Sequence, residues 1–151
     1  MRSIVKSALF LFLFTTMSGK NYFVSPRGED ENPGSFRSPK ATIQEAVKLL
    51  RAGDTLYLRA GVYSITESIQ INLRGTVKDW IVISSYPGEK TLIDASGSES
   101  IVYESKKGKF SVKGAVNVFE SSFLRFININ VSNSHNVGFL IQEPNTSHIE
   151  L

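Results

Sequence analysis

The side chains in this sequence that could do chemistry are few and far apart. Asp94 stands alone in the run TLIDAS, and His135 and His148 are the two histidines. Neither His has a Cys or a second His at ligand spacing, and no Ser-His-Asp constellation is identifiable. Both are read as corner or surface residues, and Asp94 as a corner residue bonding the backbone of the next turn. Glu29, Asp30 and Glu31 beside Asn32 offer oxygen ligands to a hard cation. A twelve-residue calcium loop needs carboxylates at alternate positions and a late Glu, which this run lacks. The stretch Ser25 to Ser38 (SPRGEDENPGSFRS) therefore reads as a loop in which Asp30 and Asn32 bond local backbone. Lys106, Lys107 and Lys109 could grip a polyanion, but no aromatic or Arg interleaves with them, and Ser96 to Lys109 reads as a solvated loop. Tyr57, Tyr63, Trp80 and Tyr86 would offer a sugar-stacking surface where they face outward; packing under a loop is the alternative. The paired carboxylates of a glycoside hydrolase are not identifiable.

These residues must be positioned by short elements, and the clearest are in Ala41 to Tyr63 (ATIQEAVKLLRAGDTLYLRAGVY). Ile43, Ala46, Val47 and Leu50 fall at helical spacing, which gives one apolar stripe on a helix of about three turns. Thr42 and Glu45 form a capping-box pattern, and Gly53 is placed to end the helix in a left-handed conformation. Beyond it, Leu56 and Leu58 alternate with Thr55, Tyr57 and Arg59, which is the period of a strand, and Gly61 breaks it. A one-striped helix ahead of short strands suits the covering of an exposed β-edge.

Further strand candidates are Asn21 to Val24, Ser68 to Asn72, Trp80 to Ser84, Thr91 to Ala95, two within Phe110 to Glu120, two within Phe123 to Val131, Val137 to Gln142, and His148 to Leu151. Asn128, Asn130, Asn133 and Asn136 suit tight corners. Asp54-Thr55-Leu56-Tyr57-Leu58 aligns with Asp79-Trp80-Ile81-Val82-Ile83 at a shift of 25 residues, and Ser122 to Phe126 aligns with Ser147 to Leu151 at the same shift. The intervening gap of 43 fits a coil enlarged by the Lys-rich insertion. Such a period predicts an all-β, parallel β-helix of about four coils with an N-terminal capping helix. In it Leu56, Ile81, Leu124 and Ile149 would form one inward column. A β-sandwich is the alternative architecture.

Met1 to about Ser18 has a basic start at Arg2 and Lys6, an apolar run from Ala8 to Phe14 and small residues after it, the layout of a cleavable signal peptide. The division is then 1–18 signal peptide and 20–151 β-helix, in an exported protein of a bacterial surface, periplasm or medium with no membrane span after cleavage. Of the 17 Lys and Arg, Arg2 and Lys6 lie in this segment, which leaves 15 against 14 acids and argues against a nucleic-acid partner. With no Cys, stability rests on burial and backbone pairing.

The runs YFVSPRGEDENPGS, SPKATIQEAVKLLRAGDTLYLRAGVY, WIVISSYPGEKTLIDAS and SFLRFININVSNSHNVGFLI resemble the N-terminal region of secreted right-handed β-helix proteins, above all pectate lyases of polysaccharide lyase family 9. The resemblance runs from about Tyr22 to the end. It implies a parent enzyme that cleaves pectate or a related polyuronate by calcium-assisted β-elimination, acting as a monomer on acidic polysaccharide. In that family an Asp cluster holds the calcium and a Lys is the base, on central coils. No Asp cluster follows Asp94, so no catalytic, cofactor-binding or metal residue is assigned, no cofactor is expected in this chain, and the chain is expected to be an inactive N-terminal part. A non-catalytic glycan-binding or adhesin β-helix is the alternative.

Overall fold

In a computed structural model, residues 19–98, 101–105, 108–112, 114–134 and 137–151 are described, with backbone alone for 101–105 and 108–112. The signal-peptide segment, Lys106, Lys107, His135 and Asn136 lie outside the described residues.

The chain begins with β1 (Asn21–Val24), then α1 (Ile43–Val47), then a first coil of β2 (Thr55–Leu58), β3 (Gly61–Ser64) and β4 (Ile69–Ile71). The second coil is β5 (Ile81–Ser85), β6 (Thr91–Asp94), a hairpin of β7 (Ile101–Ser105) and β8 (Gly108–Val112), and β9 (Gly114–Phe119). The third is β10 (Ser122–Ile127), β11 (Val131–Ser132) and β12 (Val137–Gln142), after which β13 (Ser147–Glu150) starts another rung. Strands of successive coils pair in parallel in three sheets, ordered β1-β2-β5-β10-β13, β11-β6-β3 and β12-β9-β4. This is the parallel β-helix expected from the period, in three complete coils with a rung at either end.

Period-two alternation sets what is inside. Leu56, Leu58, Ile69, Ile71, Ile81, Ile83, Ile93, Val116, Val118, Leu124 and Phe126 are buried and meet in one core. Beneath them Ile43, Ala46, Val47 and Leu50 close the first coil, so the helix does cap the stack. Corners and strand starts use left-handed residues, and they repeat from coil to coil. Glu120 and Asn145 (φ 45° and 69°) and Phe123 and His148 (both 54°) are each one 25-residue period apart. Asn128 and Asn133 take the same region at two other corners, where an Asn side chain tolerates it.

Several expectations change. The helix has five residues and ends at Lys48, well before Gly53. Leu49 and Leu50 donate to the carbonyls three residues back, and the buried Asp54 carboxylate takes the Arg51 N–H (2.8 Å), so the chain tightens and leaves the helical path. Gly53 (φ 88°) belongs to the turn before β2, where its N–H donates to Asp79. Thr42 does cap the Glu45 N–H, but Glu45 pairs with Lys48 and Asp30 replaces it at the Thr42 N–H.

The first repeat shift is 27 residues rather than 25, because Leu56 lies beside Ile83. Ile81, Leu124 and Ile149 share a column as expected, while Leu56 heads none: its column is Tyr22, Leu56, Ile83 and Phe126. An even shift keeps every side chain on its face. The aligned acids misled, since Asp54 is buried under backbone N–H groups and Asp79 is exposed in a turn with Thr76. The expected solvated loop from Ser96 to Lys109 instead contains the antiparallel β7–β8 hairpin, register Ile101 to Val112 through Ser105 to Gly108. In that register Ile101 pairs with Val112 and Tyr103 with Phe110, residue types that favour strands.

Candidate carbohydrate-facing surface

The outer face of the five-stranded sheet carries two aromatic groups. The first gathers Phe23 of β1 and Tyr57 of β2, in register and stacked at 5.6 Å, with Tyr86 after β5 and Phe36 from the cap loop. Phe36 is 48% exposed, so this face meets solvent. Arg59 lies over Phe36 and Tyr86 at 4.5 and 5.0 Å, within cation–π range. Its Nε donates to both oxygens of Glu89 at 2.9 and 3.0 Å, and Glu89 also accepts the Ala60 N–H. The hydrogen bond from Arg59 holds the Glu89 carboxyl below its ordinary range, and Glu89 in turn raises the Arg59 guanidinium. Beside the pair, Ser25, Pro26, Arg27, Pro39, Ala60 and Gly61 bound a recess of about 470 Å³.

The second group lies nearer the strand starts. Trp80 meets Phe123 edge-on at 5.6 Å, Phe123 stacks on His148 at 4.4 Å, and Arg125 covers Trp80 at 5.0 Å while pairing with Glu150. Aromatic faces, a guanidinium and carboxylates on one solvent-facing sheet can stack on sugar rings and bond their hydroxyls and acid groups.

The sequence matches the family described as "Pel9A-like, right handed beta helix region" over residues 22–151. The chain belongs to the Pel9A-like right-handed β-helix family. Among curated proteins it is similar to pectate lyase PEL9 of Emericella nidulans, 40% identical over 86 residues, which is 57% of this chain and 21% of that protein. It is also similar to the uncharacterized protein YwoF of Bacillus subtilis, 31% identical over 58% of this chain and 18% of that one. The matched stretch thus spans about a fifth of the length of these relatives. A solved rhamnogalacturonan lyase superposes with a TM-score of 0.70 at 19% identity, over 87% of this chain and 34% of that one. Pectate lyase Pel9A superposes at 0.62 and 19%, with the same coverage, and both likenesses speak for the fold alone. A GH136 lacto-N-biosidase from Eubacterium ramulus superposes at 0.67 with 25% identity, over 80% of this chain and 21% of that one.

In this Pel9A-like chain the residues singled out by sequence are dispersed. Tyr57 and Tyr86 meet in the first aromatic group and Trp80 heads the second, whereas Tyr63 is buried and its hydroxyl donates to the carbonyls of Val24 (2.9 Å) and Arg59 (2.8 Å). Burial pushes that hydroxyl well above its ordinary range. Asp94 accepts the Ser96 N–H at 3.1 Å, the corner role expected of it, and also the Asn133 amide at 2.9 Å. These bonds, Asn133 first, hold its carboxyl below the ordinary range. His148 is exposed, as a surface residue would be, but lies in β13 rather than at a corner. Asn32 bonds Pro39 as a loop residue would, but Asp30 reaches farther, to the N–H groups of Ala41 and Thr42 and the Thr42 hydroxyl.

Among the described residues the carboxylates do not build a calcium site. Asp30, Asp54 and Asp94 lie apart with their oxygens on backbone and side-chain donors, and among the described residues no three acids or histidines come together. Sequence reading missed Phe23, Phe36, Arg59 and Glu89. The available signal was opposite charge about one coil apart: Arg59 and Glu89 are 30 residues apart, Arg125 and Glu150 are 25. No described helix is long and apolar enough to cross a membrane.

Proposed function

We propose that this chain forms the capped N-terminal coils of a secreted polysaccharide lyase that cleaves pectate or a related polyuronate by calcium-assisted β-elimination. Membership of the Pel9A-like family over residues 22–151 carries the reading, and the 40% identity to a pectate lyase supports the substrate class. In such a reaction a base removes the proton α to the uronate carboxylate and the 4-O-glycosidic oxygen leaves. A cation stabilises the carboxylate dianion that develops. The described carboxylates do not build that cation site, so in this reading calcium and base come from coils outside these residues, and the chain alone is inactive. Residues 1–18 act as a cleaved signal peptide, the protein is exported and monomeric, and the outer aromatic face of the five-stranded sheet lies along the polysaccharide.

The test is incubation of the complete gene product with polygalacturonate, rhamnogalacturonan and neutral xylan, with and without calcium, following ultraviolet absorbance of the unsaturated product. Calcium-dependent product from polygalacturonate is expected. Binding to the polymer without unsaturated product rejects the lyase and favours a glycan-binding module.

A further inference from the structure

The cap end of the solenoid has three strand edges, and two are sealed. The edge of β1 is covered by the following loop: Phe23 donates to Gly34 (2.7 Å) and accepts from Lys40 (3.0 Å), and Ser25 donates to Lys40 (2.9 Å). The edge of β4 is covered by one side chain acting as a strand. The Gln44 amide accepts the Gln70 N–H at 2.8 Å and donates to the Gln70 carbonyl at 3.2 Å. Sealing of this kind is how β proteins prevent unwanted pairing.

The edge of β3 is not sealed. Gly61 and Ile65 donate to the carbonyls of Lys90 and Asp94, toward β6, so the alternation of a parallel ladder turns the N–H and C=O groups of Val62 and Ser64 toward the cap. Among the described residues nothing bonds them there. Val62 is 52% exposed, and Pro26, which would lie only 2.8 Å from a Cβ at Gly61, has no N–H with which to pair. Beneath this edge runs a groove of about 600 Å³ between the Ala41 to Gln44 segment and the Ile65 to Ser68 turn.

We propose that this edge is a docking site for an extended polypeptide segment, added to β3 as a further strand. The geometry is that of β-augmentation, with main-chain bonds from Val62 and Ser64 and side-chain contacts along the groove. Among the described residues Glu67 is the one carboxylate of the lining and no Lys or Arg lines it, so the segment carries a basic residue. The same charge disfavours an acidic polysaccharide. A second copy is disfavoured as well, because a twofold arrangement through β3 would bring cap against cap. The inference stands apart from the lyase reading.

The test is amide hydrogen exchange on the full chain, with the blocked pentapeptides TVKVT and TVEVT as probes at about 1 mM. Without peptide the Val62 and Ser64 amides exchange at least about a hundredfold faster than the Tyr63 amide, and TVKVT slows both at least about tenfold while TVEVT does less. Ser64→Pro removes one donor at a position where an edge strand tolerates proline and abolishes the protection. Glu67→Lys, an exposed change that leaves folding intact, reverses the preference between the peptides. Slow exchange of Val62 and Ser64 in the free chain overturns the proposal, as does indifference to both peptides. Protection that grows with protein concentration alone points to a second copy and also overturns it, and so does equal protection by oligogalacturonate.

Discussion

Glu89→Gln is an incisive test of how the cap loop and the first two coils are held together. The change keeps size and removes the charge that receives two bonds from the Arg59 Nε at 2.9 and 3.0 Å and a third contact from its Nη2 at 2.8 Å. The glutamine amide presents N–H groups to a guanidinium that remains between Phe36 and Tyr86 without a counter-charge. An exposed ion pair contributes about 0–1 kcal/mol, but hydrogen bonds to charged groups are worth about 1.5–3 kcal/mol when sheltered. Here the side chains are 28% and 22% exposed, so the expected loss is about 2 kcal/mol. For a chain of this size that lowers Tm by about 4–8 °C. Thermal and urea unfolding followed by circular dichroism measure it, and Arg59→Met in a double-mutant cycle should give a coupling of at least about 1 kcal/mol. The pH dependence has a definite sign. Because the folded Glu89 carboxyl titrates below its ordinary value of 4.5, its contribution is complete above that value and is lost as pH falls through the lower folded one. The gap between the wild-type chain and Glu89→Gln should therefore close in acid. A loss under about 0.5 kcal/mol at neutral pH, or a gap that widens in acid, refutes the reasoning.

Leu124→Ala, in the inward column between Ile81 and Ile149, should cost about 3 kcal/mol in urea unfolding, whereas Ile127→Ala, 38% exposed on the outer face, should cost under about 1 kcal/mol. Ser121 is fully buried; its hydroxyl donates to Phe119 (2.8 Å) and accepts the Leu73 N–H (3.0 Å), so Ser121→Ala should destabilise by about 1–2 kcal/mol and speed exchange of the Leu73 amide. Gly53→Ala places a Cβ at φ 88° and should lower stability by about 1 kcal/mol or more, where a helix-ending role would leave α1 longer and its helical signal changed.

The coil architecture was legible because each short strand alternates cleanly and the last two rungs repeat at 25 residues. Leu56, Ile81, Leu124 and Phe126 all point inward as their parity requires. The first register was not legible, since the alignment rested on Asp54 and Asp79, two acids with unrelated jobs, and a shift of two residues leaves parity untouched. The helix length was hidden for a related reason. It is cut short by the Asp54 carboxylate on the Arg51 N–H, while Leu50 still reaches the core, so the apolar stripe looks continuous in sequence. Asp30 serves a helix start eleven and twelve residues downstream, and no local pattern announces that. The outer aromatic face was half legible. Tyr57 and Tyr86 stood out as aromatic, but their neighbours Phe23 and Phe36 come from a rung and a loop whose place below β2 depends on the register.

That register decides which side chains share a column and which face the polysaccharide in the proposed enzyme. The natural chain has no Cys, so a pair of introduced cysteines reads it directly. Thr55→Cys with Val82→Cys places the two thiols on directly paired residues of β2 and β5, within reach of a disulfide. Thr55→Cys with Trp80→Cys matches the 25-residue alignment instead. Mild oxidation of the folded chain should close the Thr55–Val82 pair rapidly and leave the Thr55–Trp80 pair reduced, as read by thiol titration. Preferential closure of the Thr55–Trp80 pair would contradict the coil stacking described here.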